Sequence, residues 1–256
     1  MRSIVITIKI VITATFVFAI ISCGGMKTPE NLNAEQVFND GVKLFENGDY
    51  LEAKQYFDII KLQYPASQYA DNAQYYLAEI NYKRSEYILA AFNYSMLRRV
   101  YPGSPYSKES LYKNALCYFQ LSPSYDRDQE YTTKAIESFM EFQYLYPDDS
   151  LNIESGKRIA ELRDKLAYRE FFTAELYRKM ESPRASVIYY DAVINNFSDS
   201  KYYEDSYIGK IEALYFMKRY DQAVSIIRAY STQFPNGKAT SRNNQIVKEI
   251  NDLKSK

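Results

Sequence analysis

The sequence predicts an all-α protein, a right-handed superhelical solenoid of about five helix pairs with one long connecting helix. The first observation is a segment of 17 residues that recurs along the chain, at residues 49–65, 86–102, 131–147, 182–198 and 219–235. The second is a long stretch without proline or turn clusters, residues 153–180, which lies between the third and fourth copies. A unit of this kind cannot bury its apolar face alone, so stacked copies make the core.

Each copy of the segment has the side-chain spacing of a helix. Its fifth residue is small: Ala53, Ala90, Ala135, Ser186 and Ala223. Four residues later comes a large one: Phe57, Tyr94, Phe139, Tyr190 and Ile227. Side chains four apart lie on the same helix face, and the small residue lets a neighbouring helix come close. Four copies end on an aromatic residue and proline, which stops a helix.

A second helix is predicted after each stop. The candidate N-caps, two residues past the stop, are Ser67, Ser104, Asp149 and Ser200. Their side-chain oxygens can accept the unpaired N–H groups of a first turn. The first unit begins at Asn33, which with Gln36 resembles a capping box. Each repeat is therefore helix, short turn, helix, stop.

The repeats are unevenly spaced. The small residues lie 37, 45, 51 and 37 residues apart. Eight extra residues fall in 121–130, which is predicted to be a loop. Fourteen extra residues make about four helical turns at ~3.6 residues each, so they lengthen a helix without rotating its apolar face. We predict one helix over residues 153–180, with repeats 1–3 in residues 33–148 and the long helix with repeats 4–5 in residues 149–256.

The start of the chain is typical of an exported protein. Arg2 and Lys9 accompany a short apolar run within residues 1–22, too short for a typical membrane span and similar to a secretory signal peptide. The sequence Ile-Ile-Ser-Cys ending at Cys23 resembles the bacterial lipobox, which predicts lipidation of that cysteine. Two or more acyl chains make such an attachment stable. Residues 23–32 would then be a flexible tether; an uncleaved anchor helix is the alternative.

Composition excludes several functions. Cleavage before Cys23 leaves 30 basic against 32 acidic residues, a net charge of −2 that argues against nucleic-acid binding. The chain has no histidine, which removes Ser–His and Cys–His nucleophile pairs and His-containing metal sites. No glycine-rich phosphate loop is present. We predict no cofactor, no metal and no enzymatic activity; a paired-carboxylate glycosidase is the enzymatic alternative. Cys117 is predicted to be a small core residue.

The repeats resemble tetratricopeptide repeats, through Gly41, residues 47–50, Ala53, Phe57 and the Tyr64–Pro65 stop. Five tetratricopeptide-like pairs behind a lipoprotein signal resemble the BamD (ComL, YfiO-like) family of outer-membrane assembly lipoproteins. The resemblance covers nearly the whole mature chain, including residues 126–128 in the loop and residues 162–167 in the long helix. The chain departs from the family pattern at residues 180–183 and 197–198, which concerns the fourth unit.

The resemblance implies a scaffold that is lipid-anchored in the outer membrane and faces the periplasm. Its partners would be the barrel-forming assembly protein BamA and unfolded β-barrel proteins. In this family the N-terminal repeats are thought to receive substrate and the C-terminal repeats to dock BamA. Two alternatives are a periplasmic repeat lipoprotein that coordinates envelope or division processes and a small SusD-like binding lipoprotein. SusD-type chains are much larger and have long regions outside the repeats.

A candidate peptide-binding groove follows from the register of the repeats. In stacked repeats the first helix of each unit lines the concave face. Counting from Gly41, Ala78 and Ala115 places seven side chains on that face: Phe38, Phe45, Tyr75, Glu79, Tyr82, Tyr112 and Phe119. Such a surface suits an extended peptide with alternate aromatic residues, as in a β-barrel strand. The alternative is that these rings pack on the next helix and partly fill the groove.

Overall fold

The computed structural model describes residues 33–255, and these residues form helices and turns without a β-strand. The predicted signal peptide, Cys23 and the predicted tether lie outside the described residues. The eleven helices of the described region are α1 Ala34–Asn47, α2 Tyr50–Gln63, α3 Ala70–Lys83, α4 Tyr87–Val100, α5 Ser107–Leu121, α6 Glu130–Leu145, α7 Leu151–Lys179, α8 Pro183–Asn196, α9 Tyr203–Phe216, α10 Tyr220–Gln233 and α11 Thr240–Lys254. The predicted all-α class is confirmed.

The helices pack in chain order, each mainly against the next. Five pairs result: α1 with α2, α3 with α4, α5 with α6, the second half of α7 with α8, and α9 with α10. The first half of α7 instead packs on the third pair, where Leu162 joins Ala135 and Ile136 in one apolar cluster. The helix α11 covers the end of the stack with Ile246 and Ile250. A solenoid of this kind needs such a terminal cap because its last pair has no following neighbour.

The small and large repeat positions form the core, as predicted. All five small residues are fully buried, and the large residues at the same turn are buried beside them. The long helix is also confirmed: α7 has 29 residues, which at ~1.5 Å per residue make it about 43 Å long. Its boundaries differ from the predicted 153–180 by two residues and one residue.

The capping predictions have two outcomes. At the first helix the capping box is present, with Asn33 Oδ1 accepting the N–H of Gln36 at 2.9 Å and Gln36 Oε1 accepting that of Asn33 at 3.3 Å. None of the four predicted N-caps after the stops lies directly before its helix, because α3, α5, α7 and α9 begin two or three residues later. The predicted side-chain bond is nevertheless present at Asp149, whose Oδ1 accepts the N–H of Leu151 in the first turn of α7 at 2.9 Å. Each of the four residues lies in a turn and accepts a backbone N–H through its carbonyl. The hydroxyls of Ser67 and Ser200 have no hydrogen-bond partner within the described residues.

Candidate functional site

The seven predicted groove residues lie on the first helices of the first three pairs, α1, α3 and α5. They separate into two groups by exposure. Four are 7–9% exposed: Phe38, Tyr75, Glu79 and Tyr112. Three are partly buried and retain a larger exposed surface: Phe45, Tyr82 and Phe119. The first group is almost completely covered by neighbouring side chains, and the second lies in the last turns of the same helices.

The three aromatic rings of the first group pack on neighbouring parts of the fold. The ring of Phe38 stacks on Tyr69 with a centroid distance of 5.0 Å and lies 5.9 Å from Phe57. The ring of Tyr75 stacks on Tyr106 with a centroid distance of 4.3 Å. These contacts support the alternative in which rings fill part of the groove. They occur because the aromatic positions of one helix face the gap to the next unit as well as the concave side.

Tyr112 is held in the same way. Its ring lies 5.9 Å from Phe139 and 5.3 Å from Phe142, both of which are fully buried on α6. Less than a tenth of the surface of Phe38, Tyr75 and Tyr112 is therefore exposed to a ligand.

The partly exposed rings form a row of equivalent positions. Phe45, Tyr82 and Phe119 are spaced 37 residues apart, each in the last turn of its helix. Each ring packs against a neighbouring side chain. The ring centroids of Phe45 and Tyr50 are 5.5 Å apart, as are those of Tyr82 and Tyr87. Phe119 is covered on one face by the guanidinium of Arg158, 4.8 Å from its centroid. This row offers rigid aromatic surface that is already positioned by packing.

Glu79 is the centre of a buried polar network that joins three helices. Its carboxylate accepts a hydrogen bond from the Tyr94 hydroxyl and one from Lys113 Nζ at 2.5 Å. Lys113 also donates to the Tyr75 hydroxyl at 3.2 Å and forms an ion pair with Glu109 at 3.2 Å. The network joins α3, α4 and α5, so it connects the second and third pairs.

The electrostatics of this network follow from its burial. Burial, and then the carboxylates of Glu109 and Glu79, raise the pKa of the Tyr75 hydroxyl far above its usual range. Burial and the carboxylate of Glu79 do the same to the pKa of Tyr94. Both phenols therefore stay protonated at neutral pH. Burial also raises the pKa of Cys117 to about 12, which keeps this buried residue a thiol, in agreement with its predicted core role.

Lys113 was missed by the sequence prediction. It lies outside the counted groove positions, and its partner Glu79 is 34 residues away on another helix. A local signal existed in the spacing of Glu109 and Lys113, which are one turn apart on α5 and can pair.

A cavity lies in the C-terminal pairs, where the sequence analysis predicted no site residue. It has a volume of about 440 Å³ and lies between the ends of α7, α9 and α11. Its lining includes Arg178, Glu212, Tyr215, Phe216 and Arg242. The two arginines are paired, Arg178 with Glu175 at 2.6 Å and Arg242 with Glu212 at 2.9 Å. The ring of Phe216 is 70% exposed, so an apolar side chain projects beside fixed charges of both signs.

Residues 33–255 contain neither a group of three potential metal ligands nor a helix with the length and apolar character of a membrane span.

Comparison with known proteins identifies the family of this chain. A family model described as outer membrane lipoprotein, YfiO, matches residues 30–218. The chain belongs to the YfiO family of outer membrane lipoproteins. The region matched to the YfiO family contains all seven predicted groove residues and the long helix α7, while Arg242 lies beyond it.

Relatives of this YfiO-family chain align over most of its length. The outer membrane protein assembly factors BamD of Rickettsia prowazekii and of Neisseria meningitidis are each 23% identical to it. They cover 88% and 89% of this chain and 92% and 91% of their own. Among solved structures, a tetratricopeptide repeat protein from Bacteroides fragilis covers 87% of this chain, with a TM-score of 0.43 at 11% identity.

Proposed function

We propose that this protein is a non-enzymatic scaffold of outer-membrane β-barrel assembly that binds a BamA-like barrel assembly protein and unfolded β-barrel proteins. The observation that carries the proposal is the alignment with relatives named BamD over about nine-tenths of both chains. Cys23 would carry the lipid anchor that holds the protein at the outer membrane, facing the periplasm. The paired helices would provide the binding surfaces.

The N-terminal groove is proposed to receive the substrate. An extended strand of a β-barrel protein has alternating apolar side chains, about ten residues to a strand. The row of Phe45, Tyr82 and Phe119 offers aromatic surface to such side chains at three successive repeats. Since these rings are already fixed by Tyr50, Tyr87 and Arg158, little side-chain entropy is lost on binding.

The C-terminal cavity is proposed to dock the barrel assembly protein. Phe216 projects from α9 beside the Arg242–Glu212 pair, and an exposed aromatic ring next to arginine is typical of interface hot spots. The two surfaces lie on different pairs, so one chain can hold both partners at once.

The proposal is tested by co-purification. Tagged full-length protein extracted from envelopes in mild detergent is expected to retain BamA. The Phe216→Ala variant should retain at least about fivefold less BamA, because it loses the exposed aromatic anchor. Tyr144→Ala, which removes a ring that is 84% exposed on α6, is the matched control and should behave as the parent. Absence of BamA from the parent preparation would overturn the proposed function.

The groove is tested separately with a labelled peptide from a β-barrel strand. The double variant Tyr82→Ala with Phe119→Ala is expected to bind this peptide about tenfold more weakly while retaining BamA, since two aromatic contacts are lost. Tyr144→Ala again serves as the control, and thermal unfolding checks that each variant is folded. Peptide binding as tight as that of the parent would show that the substrate uses another surface.

A further inference from the structure

The helix α4 has apolar residues on two opposite sides. Its inner side is the buried stripe of Ala90, Ala91, Tyr94 and Leu97 in the core. Its outer side carries four large apolar side chains that are 51–59% exposed: Ile88, Leu89, Phe92 and Val100. Core packing explains the first set and leaves the second without a partner among the described residues.

The equivalent helix of the fifth pair shows that the fold does not require this outer side. In the repeat register, Ala90 of α4 corresponds to Ala223 of α10. The positions of Ile88, Leu89, Phe92 and Val100 are occupied in α10 by Asp221, Gln222, Ser225 and Gln233. All four are exposed, and α10 packs its core face in the same way. Each of the other three equivalent helices has one large apolar residue at these positions, namely Leu51, Leu145 and Ile188. The complete apolar outer side is therefore a property of the second pair and not of the repeat.

The charged residues of α4 are all basic. The helix contains no Asp or Glu, and its last turn contains Arg98 and Arg99. Arg98 pairs with Glu141 at 2.7 Å, whereas Arg99 is exposed and has no carboxylate partner within residues 33–255. Apolar and basic side chains together on one exposed helix side are characteristic of helices that lie in a membrane interface.

We propose that the outer side of α4 contacts the phospholipid bilayer, with the four apolar side chains at the boundary of headgroups and acyl chains. The proposal rests on the lipid anchor of the proposed function. The ten residue steps from Cys23 to Asn33 span at most about 35 Å when extended, so the anchor holds the first pairs close to the membrane surface. The apolar outer side occurs in the second pair, whereas the distant fifth pair is polar at the same positions. Closeness to the anchor does not by itself select the repeat, because the first pair has Glu52, Gln55 and Gln63 at three of these positions. The complete apolar set on α4 is what assigns the contact to the second pair.

The absence of tryptophan from the chain permits a direct test. Full-length acylated Phe92→Trp and Ser225→Trp variants are placed in vesicles of phosphatidylethanolamine and phosphatidylglycerol, with and without brominated acyl chains. Trp fluorescence at position 92 is expected to be quenched at least about threefold more strongly than at position 225 when bromine is present. Equal quenching at the two positions would overturn the proposal. The alternative occupant is a second copy of the chain. If the Trp emission at position 92 changes with protein concentration when no vesicles are present, the outer side of α4 is a contact between two copies, and the proposal is overturned.

A second measurement separates the contact from the anchor. The mature chain with Cys23→Ser has no acyl group, so its binding to the same vesicles reports on the protein surface alone. Giving α4 the residues of α10, with Ile88→Asp and Phe92→Ser, is expected to lower this binding at least about fivefold. The matched control is Ile188→Asp on α8, where an exposed apolar residue stands alone. Unchanged vesicle binding would contradict the proposed face, while mass analysis of the native N-terminus tests the anchor independently.

Discussion

Replacing Lys113 with methionine is expected to lower the free energy of unfolding by about 3 kcal/mol. The methylene stem is kept in this variant, so the main change is the loss of the ammonium group from Glu79. The Glu79 carboxylate is 7% exposed and would be left with the Tyr94 hydroxyl as its main partner. A buried charge without its counter-ion costs far more than the pair itself contributes. Equilibrium urea unfolding followed by circular dichroism measures this change.

A double-mutant cycle separates this effect from general damage. Combining Lys113→Met with Glu79→Gln removes both charges and keeps an acceptor for the buried Tyr94 hydroxyl. The double variant is therefore expected to recover most of the lost stability, because no uncompensated charge remains. The exposed pair of Lys43 and Asp40 provides the control, and Lys43→Met should change stability by less than about 0.5 kcal/mol. A cost for Lys113→Met that is as small as for Lys43→Met would show that water reaches Glu79.

The helices were predictable because their signals are local. Residues four apart share a helix face whatever lies beyond them, so Ala53 and Phe57 already define the buried side of α2. The stop at Tyr64–Pro65 acts on the same helix. The length of α7 followed from an insertion of whole turns, which is also a property of the chain alone.

The starts of the second helices were not predictable from the presence of a serine. Serine is a favoured residue type at an N-cap. The carbonyl of Ser67, however, accepts the N–H of Ala70 in a tight turn, and α3 begins only at Ala70. Whether the serine caps a helix through its hydroxyl or forms a turn through its carbonyl depends on the path of the chain between the two helices. That path is set by how the helices pack.

The groove shows a different limit. Counting residues placed Tyr75 on the concave side, but it could not show that Tyr106 of the next unit lies against the ring. One long-range signal was present. The hydroxyl-to-carboxylate bond from Tyr94 to Glu79 recurs from Tyr190 to Glu175, with 15 residues between the partners in both pairs. Comparing the repeats for paired polar positions would have identified these tyrosine–carboxylate pairs.

Gly209→Ala is expected to destabilise the protein by about 2 kcal/mol, although alanine is the better helix former by ~1 kcal/mol. The residue lies within α9, directly against the ring of Tyr190 on α8. A methyl group built on Gly209 would collide with two ring carbons and the hydroxyl oxygen of Tyr190. Tyr190 is fully buried and its hydroxyl donates a hydrogen bond to Glu175, so the ring cannot move away without losing this bond. Overpacking therefore exceeds the gain in helix propensity.

Gly156→Ala in α7 is the matched control, because the added methyl group would meet only the side-chain amide of Gln143, at an ordinary 3.6 Å. This variant should be as stable as the parent or more stable by up to about 1 kcal/mol. In a Tyr190→Leu background, where the ring is absent, the cost of Gly209→Ala should fall to near zero. If thermal and urea unfolding show that Gly209→Ala stabilises the protein as Gly156→Ala does, α8 and α9 are not in the close contact that the fourth and fifth pairs require.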